Sequence, residues 1–169
     1  MFYAKYIVKK QAFVLITLAV LSIDQISKFC IRTILPTDHS IPQEGLFRIT
    51  HIENPSGIFG LPLNRAFLIV LAIIVMGAIL FVYYRYPLSR EKLIKIALGF
   101  LMGGAIGNLV DRLFIGKFGE VTDFIDIGAW PVFNLADSAI VIGVILIAYY
   151  FVFIYKKEKA KARVHGTED

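Results

Sequence analysis

Four apolar stretches constrain the fold of this chain more than any other feature. They run approximately over residues 12–35, 66–84, 94–115 and 133–155. Each can cross the roughly 30 Å hydrocarbon core of a bilayer, which takes on the order of 20 helical residues. Hydrophobic residues make up 57% of the sequence, above the roughly 45–50% of soluble domains. We therefore expect an all-α membrane protein with four transmembrane helices, forming one integral-membrane domain over residues 1–169.

Positive charge marks the borders of these stretches and predicts an orientation. The segments before the first, between the second and third, and after the fourth stretch hold twelve of the eighteen basic residues: Lys5, Lys9, Lys10, Arg85, Arg90, Lys92, Lys95, Lys156, Lys157, Lys159, Lys161 and Arg163. Basic loops stay in the cytoplasm, so we expect both termini there, an uncleaved first helix, and a cytoplasmic tail over residues 156–169. The formal charge of +5 then reflects membrane topology rather than nucleic-acid binding.

The outward loop between the first two stretches has the pattern of a small β-containing region. Residues 46–52 alternate partly between apolar and polar side chains, which predicts a short strand. A turn-rich segment follows from Asn54. Such a loop can cover a substrate that enters from the lipid, or it can be a simple hairpin between two helices. The second outward segment, which contains residues 120–126, is interpreted as a loop.

Polar residues interrupt the first stretch at Asp24 and Lys28. Their i,i+4 spacing places both side chains on one helix face. They can form a mutually neutralising pair that extends to the membrane interface. Alternatively, Asp24 orients part of a polar site.

The third stretch carries a glycine repeat followed by a polar cluster. Gly99, Gly103 and Gly107 recur every four residues and allow close helix approach. One turn later, Asn108, Asp111 and Arg112 share a helix face. Asp111 and Arg112 can be an end-of-helix ion pair, but the shared face also suits a polar site inside the bundle.

Two carboxylates, Asp123 and Asp137, lie where the fourth stretch begins, a place where a charge is costly unless it has a partner or a function. Asn134 and Asp137 also have the spacing of a helix N-cap and its third residue, so Asp137 can be only a favourable charge at a helix start.

Paired carboxylates suit the hydrolysis of an amide. Two neighbouring carboxyl groups cannot both ionise cheaply, so one keeps its proton while the other acts as a base toward water. No metal or other cofactor is needed. The spans contain no Ser-His or Cys-His pair, and the sequence has neither a His-x-x-x-His zinc motif nor a phosphate-binding glycine loop. The main alternative is a small proton-coupled transporter or assembly protein, although its acids would be expected near the membrane midplane.

Five motifs, in this order, resemble those of the bacterial lipoprotein signal peptidases, also called signal peptidase II. They are Asp24-Gln-Ile-Ser-Lys28, the Asn54 turn with Phe59, the glycine-rich segment 103–112 ending in Asn-Leu-Val-Asp-Arg, Val121-Thr-Asp-Phe124 and Phe133-Asn-Leu-Ala-Asp-Ser138. The resemblance extends over essentially all four spans.

The resemblance implies an aspartyl endopeptidase of the bacterial inner membrane, active toward the outer face. It implies cleavage before the diacylglyceryl-modified cysteine of prolipoproteins, with Asp123 and Asp137 as the catalytic pair. The residues implied to support the pair or bind substrate are Asp24, Lys28, Asn54, Gly107, Asn108, Asp111, Arg112 and Asn134. We also expect contact with membrane lipids, no nucleic-acid partner and a monomer.

One position departs from the family pattern. The family usually has glycine two residues after the motif asparagine, whereas this chain has Ser56 there and glycine next, at Gly57. The departure puts the backbone role of Asn54 in question but does not affect the carboxylate pair.

Overall fold

The computed structural model describes residues 2–56, 63–86 and 91–155. Its elements, in chain order, are helix α1 (Phe2–Ile34), strands β1 (Ser40–Ile41) and β2 (Arg48–Asn54), helix α2 (Arg65–Arg85), helix α3 (Lys92–Val110), strand β3 (Val121–Asp126) and helix α4 (Leu135–Tyr149). The wider π-helical segments Asp111–Ile115 and Tyr150–Tyr155 extend α3 and α4. The predicted tail, together with Gly57 and Phe59, lies outside the described residues.

The prediction of four membrane-spanning helices is confirmed. Within the described residues, the four helical segments long and apolar enough to cross a bilayer are Gln11–Ile34, Arg65–Arg85, Lys92–Ile115 and Leu135–Tyr155. Large apolar side chains on three of the helices, such as Leu15, Phe67 and Ile145, are more than half exposed. In a membrane these faces meet lipid, so their exposure fits the bilayer rather than water.

Helix α3 is the centre of the bundle, because it packs against α1, α2 and α4. The predicted glycine repeat makes this packing possible. A Cβ atom on Gly103 would lie 2.7 Å from the Cβ atom of Val20 on α1. One turn on, a Cβ atom on Gly107 would lie 2.5 Å from Oδ2 of Asp24. Gly107 therefore lets a charged side chain of α1 reach the backbone of α3.

A three-stranded antiparallel sheet lies outside the helices, in the order β1-β2-β3. The predicted β region between the first two helices is confirmed, but the sequence analysis missed the third strand. Residues 121–126, interpreted as a loop, pair with β2 so that Ile52 faces Asp123 and Glu53 faces Thr122. The sheet thereby connects the loop after α1 to the loop before α4.

The fourth helix begins slightly later than the apolar pattern indicates. Its first residue is Leu135, because Asn134 has an extended backbone and accepts a hydrogen bond from the backbone N–H of Asp137 through its side chain. This cap fixes where the chain turns from the sheet into the membrane.

Candidate active site

Asp123 is a buried carboxylate of β3, with 3% of its surface exposed. Each of its oxygens accepts one amide hydrogen bond. Asn54 Nδ2 donates to Oδ2 over 2.7 Å, and Asn134 Nδ2 donates to Oδ1 over 2.6 Å. Asn54 comes from the neighbouring strand and Asn134 from the cap of α4, so two elements fix the orientation of this carboxyl group.

Asp137 lies in the first turn of α4, where it closes a capping box with Asn134. Its Oδ2 accepts from the backbone N–H of Asn134 over 3.3 Å. Its Oδ1 accepts from Asn108 Nδ2 over 2.8 Å. The capping interpretation of Asp137 is thus correct, but it does not compete with a site. Asn134 thus donates to both carboxylates, to Asp123 from its side-chain amide and to Asp137 from its backbone N–H, and so connects them.

The electrostatics of Asp123 differ from those of an ordinary aspartate. Burial, reinforced by the nearby Asp137 carboxylate, raises the pKa of Asp123 from 3.8 to about 7. The amide hydrogen bonds from Asn54 and Asn134 and the charge of Lys28 oppose this rise. Near neutral pH the site therefore contains a carboxyl group that can hold a proton beside a second carboxylate.

Lys28 supports the pair from α1 and is completely buried. Its Nζ lies 2.9 Å from Asp24 Oδ2 and 3.0 Å from Asp111 Oδ2. It also donates to Asn108 Oδ1 over 3.0 Å. This bond leaves the amide nitrogen of Asn108 to face Asp137. The interpretation in which the Asp24–Lys28 pair extends to the membrane interface is therefore wrong, because the Lys28 side chain turns into the bundle.

Asp24 connects the same network to α4. Its Oδ1 accepts from the backbone N–H of Ala136 over 2.9 Å, while Gln25 donates to both Asp24 and Asp111. The buried charges of Asp24, Lys28 and Asp111 thus hold the start of α4 against α1 and α3. Gln25 lies within the Asp24-Gln-Ile-Ser-Lys28 motif but was not among the predicted site residues.

The interpretation of Asp111 and Arg112 as an end-of-helix ion pair is also wrong. The ion pairs of Asp111 described by the structure are with Lys28 and Arg32 of α1. Arg112 instead donates to the backbone oxygen of Asn108 over 3.2 Å. It is 7% exposed, and its Nε has no hydrogen-bond partner among the described residues. Arg65, which sequence analysis did not single out, donates to the carbonyl oxygen of Arg112 over 2.7 Å.

The shifted glycine after Asn54 does not disturb the orientation of that side chain. The backbone N–H of Ser56 donates to Asn54 Oδ1 over 2.9 Å. A turn of this kind holds the amide oxygen and leaves the nitrogen to face Asp123. Serine can replace the usual glycine at position 56 because the hydrogen bond to Asn54 needs only the backbone N–H of that residue.

The carboxylate pair opens onto a cavity of about 810 Å³. Its polar lining is Asn54, Asn108, Arg112, Asp123, Asp137 and Ser138, and its apolar lining includes Leu68, Leu71, Ala72 and Val75 of α2, Ile140 and Val141 of α4, and Ile127 and Trp130 of the loop between β3 and α4. Within the described ranges, no three His, Cys, Asp or Glu side chains are grouped so as to hold a metal ion. The arrangement brings all the predicted site residues around one polar centre beside a largely apolar space.

Comparison with known proteins places the chain among its relatives. A family model described as signal peptidase (SPase) II matches residues 16–153. A lipoprotein signal peptidase of Moorella thermoacetica is 44% identical over 138 residues, covering 81% of this chain and 90% of that protein. Another, from Halothermothrix orenii, is 34% identical and covers 86% of this chain and 96% of that protein.

The fold is shared with solved structures as well. A bacterial membrane enzyme determined by the in meso method at 2.3 Å resolution superposes with a TM-score of 0.74 and is 31% identical, over 83% of this chain and 87% of that chain. A second, at 1.9 Å resolution, superposes with a TM-score of 0.73 at 30% identity, over 84% of this chain and 93% of that chain. With four membrane-spanning helices and a family match over most of its length, this chain belongs to the signal peptidase II family and is a membrane peptidase.

Proposed function

We propose that this protein removes signal peptides from diacylglyceryl-modified prolipoproteins, using Asp123 and Asp137 as an aspartyl dyad. The observation that carries the assignment is Asn134, which donates to the Asp123 carboxylate from its side chain and to the Asp137 carboxylate from its backbone N–H, and so holds both at one edge of the cavity. Two carboxyl groups that share one proton supply an acid and a base without any other group.

The chemistry follows from the protonation of this pair. Asp123, whose pKa is raised to about 7, donates its proton to the scissile carbonyl oxygen. Asp137 takes a proton from water as the water oxygen attacks the carbonyl carbon. In the resulting gem-diol, one hydroxyl returns its proton to Asp123. The C–N bond then breaks while Asp137 protonates the leaving nitrogen, which releases a carboxylic acid and an amine.

The cavity suits a substrate that remains partly in lipid. Its wall is apolar where α2 and α4 face each other, and this part can hold the side chains of a signal peptide or the acyl chains of the modified cysteine. Arg112 lines the same cavity with its buried Nε unpaired among the described residues. We assign it the role of a donor to a carbonyl oxygen of the bound peptide.

The other residues of the family motifs act as supports in this proposal. Asn54, Asn108 and Asn134 orient the two carboxylates by hydrogen bonds. Asp24, Lys28 and Asp111 form the buried charge network beneath them. Gly107 gives Asp24 the space it needs.

The decisive experiment is cleavage of a synthetic lipobox peptide by the purified protein in EDTA. We expect cleavage directly before a diacylglyceryl-modified cysteine, and little cleavage of the same peptide with a free cysteine. A protein that leaves the lipidated peptide intact, but carries protons across liposome membranes, would instead be the transporter of the alternative assignment. Cleavage that stops in EDTA would point to a metal-dependent enzyme.

We also propose that the enzyme lies in the bacterial inner membrane with both termini in the cytoplasm and the dyad toward the outer face. The basic residues in alternate segments support this orientation. Cysteines introduced near Glu44 and near Gly119, for instance at the exposed Phe118, should react with a membrane-impermeant reagent from outside, and one near Glu91 should not. The reverse labelling pattern would move the dyad to the cytoplasmic side.

We further propose that the chain acts as a monomer in contact with membrane lipids.

A further inference from the structure

His51 is a buried histidine outside the dyad network, on strand β2, with 4% of its surface exposed. Its Nδ1 lies 2.7 Å from the backbone carbonyl oxygen of Leu35, and its Nε2 lies 2.9 Å from Glu53 Oε1. A carbonyl oxygen can only accept, so Nδ1 must carry a hydrogen. In a neutral ring Nε2 would then be a bare acceptor.

A bare Nε2 facing an ionised carboxylate would place two acceptors 2.9 Å apart with no hydrogen between them. The contact is favourable only if one more proton is present, either on Nε2 or on Glu53. Both choices give the His51–Glu53 pair the same proton count and no net charge. The hydrogen-bond geometry therefore favours one additional proton shared within this pair.

Glu53 connects this pair to the strand that carries Asp123. The hydroxyl of Thr122 accepts from Arg32 Nη1 over 2.9 Å and donates to Glu53 Oε1 over 3.1 Å. The backbone N–H of the same threonine donates to Asp111 over 3.3 Å. Thr122 is 1% exposed and directly precedes Asp123, so its placement sets the position from which the Asp123 side chain starts.

We propose that His51 and Glu53 form a proton-sharing positioning pair that holds Thr122, and through it Asp123, in the orientation needed for hydrolysis. This proposal rests on the proposed function. The charged and titratable groups in and around the pair come from each neighbouring element: Arg32 of α1, Asp38 and His39 of the loop after α1, Asp111 at the end of α3, and Asp123 of β3. Neither His51 nor Glu53 touches the reacting atoms.

The first measurement needs no substrate. Nitrogen-15 spectra of the purified protein at pH 7, with the His51 signal assigned by its loss in His51→Gln, report the ring protonation directly. We expect either both ring nitrogens of His51 to carry hydrogens, or one bare ring nitrogen beside a protonated Glu53. A ring with one bare nitrogen, together with an ionised Glu53 in carboxyl carbon-13 spectra, would overturn the proposal whether or not the protein cleaves prolipoprotein peptides.

Two substitutions of His51, to glutamine and to asparagine, then distinguish a positioning role from a general loss of structure. Glutamine places an amide nitrogen near the site of Nε2 and keeps a donor toward Glu53, whereas asparagine places one near Nδ1 and loses that donor. We expect His51→Asn to lower kcat on the lipidated peptide about tenfold with little change in KM, and His51→Gln to stay within about twofold of the wild type. Equal losses in both variants, or a loss confined to KM, would contradict the proposal.

His39 and Thr122 supply the controls. His39 is solvent-exposed and its Nδ1 contacts only the nearby carbonyl oxygen of Thr37 in the described hydrogen bonds, so His39→Asn should leave kcat unchanged. Thr122→Val removes the hydroxyl that joins Glu53 to Arg32 and should reproduce the loss seen in His51→Asn. The double variant His51→Asn/Thr122→Val should lose no more kcat than either single variant, because the two substitutions break the same chain of contacts. Additive losses would show that His51 does not act through Thr122.

Discussion

Asp123 and Asp126 share strand β3, three residues apart, and both are buried, with 3% and 5% of their surfaces exposed. Their partners are nevertheless of different kinds. Asp123 accepts hydrogen bonds from the neutral amides of Asn54 and Asn134. Asp126 lies 2.8 Å from the Arg48 guanidinium and also accepts from the Thr50 hydroxyl and the backbone N–H of Gly128.

These partners give the two carboxyl groups opposite protonation behaviour. The Gly128 N–H, together with Thr50 and Arg48, holds the pKa of Asp126 below its usual value. Burial and the Asp137 carboxylate raise the pKa of Asp123 to about 7. Similar exposure therefore does not produce similar chemistry. A carboxyl group that must exchange protons is surrounded by amides, whereas one that holds a loop in place is paired with a cation.

The largest effect is expected from removing either member of the dyad. Asp123→Asn and Asp137→Asn should each abolish cleavage of the lipidated peptide while the protein stays folded in the membrane. The loss should exceed the roughly 10²–10⁴-fold typical of one proton-transfer group, because members of a dyad act as a unit. Single-turnover assays with a long time course measure the residual rate. Near-normal turnover by either variant would remove that residue from the mechanism.

The next effect is on the pH dependence of kcat. If protonated Asp123 is the acid, kcat should fall above about pH 7, approaching a tenfold loss per pH unit as the proton leaves. Asn54 donates to Asp123 and favours its charged form, so Asn54→Ala should raise the pKa further and move the alkaline limb to higher pH. A pH–rate profile of both proteins measures the shift. A limb that moves to lower pH would contradict the assigned acid.

The sequence was sufficient to predict the helices and to single out several residues of the candidate site, for physical reasons. A span must be long and continuously apolar, so each helix leaves a strong signal over some twenty residues. Charged residues inside or beside such spans are costly, so Asp24, Lys28, Asp111 and Asp137 stand out in the sequence. The choice of Asp123 over Asp126 came from the family motif, because spacing alone does not distinguish them.

Other features were not predictable because they depend on contacts between distant segments. Strand β3 has only six residues, and most of them are buried, so its alternation is weak and its pairing with β2 crosses two helices. The sequence leaves open whether Lys28 extends to the interface or joins a polar site, because nothing near it in the sequence shows that Asp111 lies opposite. Arg65, at the start of α2, looks like an interfacial charge until the fold brings it to the carbonyl oxygen of Arg112.

The two aspartates should also affect stability with opposite signs. The folded protein binds a proton at Asp123 between the usual pKa of 3.8 and about 7, so this group's contribution to stability is lost as the pH rises through 7. Asp123→Asn should therefore have a higher Tm than the wild type at pH 8. Asp126 has a lowered pKa, so its contribution is present above 3.8 and lost as the pH falls through its folded-state pKa.

Asp126→Asn should accordingly lower Tm at pH 8, and the difference from the wild type should shrink in acid. Melting curves of both variants in the same detergent at pH 3 and pH 8 measure the two signs together, because pH 3 lies below the usual aspartate pKa of 3.8. A lower Tm for Asp123→Asn at pH 8 would mean that its ionised carboxylate is stabilised in the folded protein, contrary to the rise in its pKa caused by burial and the Asp137 carboxylate.

The smallest effect is expected for the activity of Asp126→Asn. Asp126 fixes the turn at Gly128 that begins the loop bearing Ile127 and Trp130, which line the cavity. Asparagine keeps an oxygen for the Gly128 N–H but weakens the ion pair with Arg48, which is 30% exposed at its side chain. We expect a loss in kcat/KM of at most about 1 kcal/mol, or roughly fivefold, mainly through KM. Assayed beside Asp123→Asn on one lipidated peptide, an inactive Asp126 variant and an active Asp123 variant would reverse the assignment of the two carboxylates, and with it the distinction between amide-bound and cation-paired aspartates on this strand.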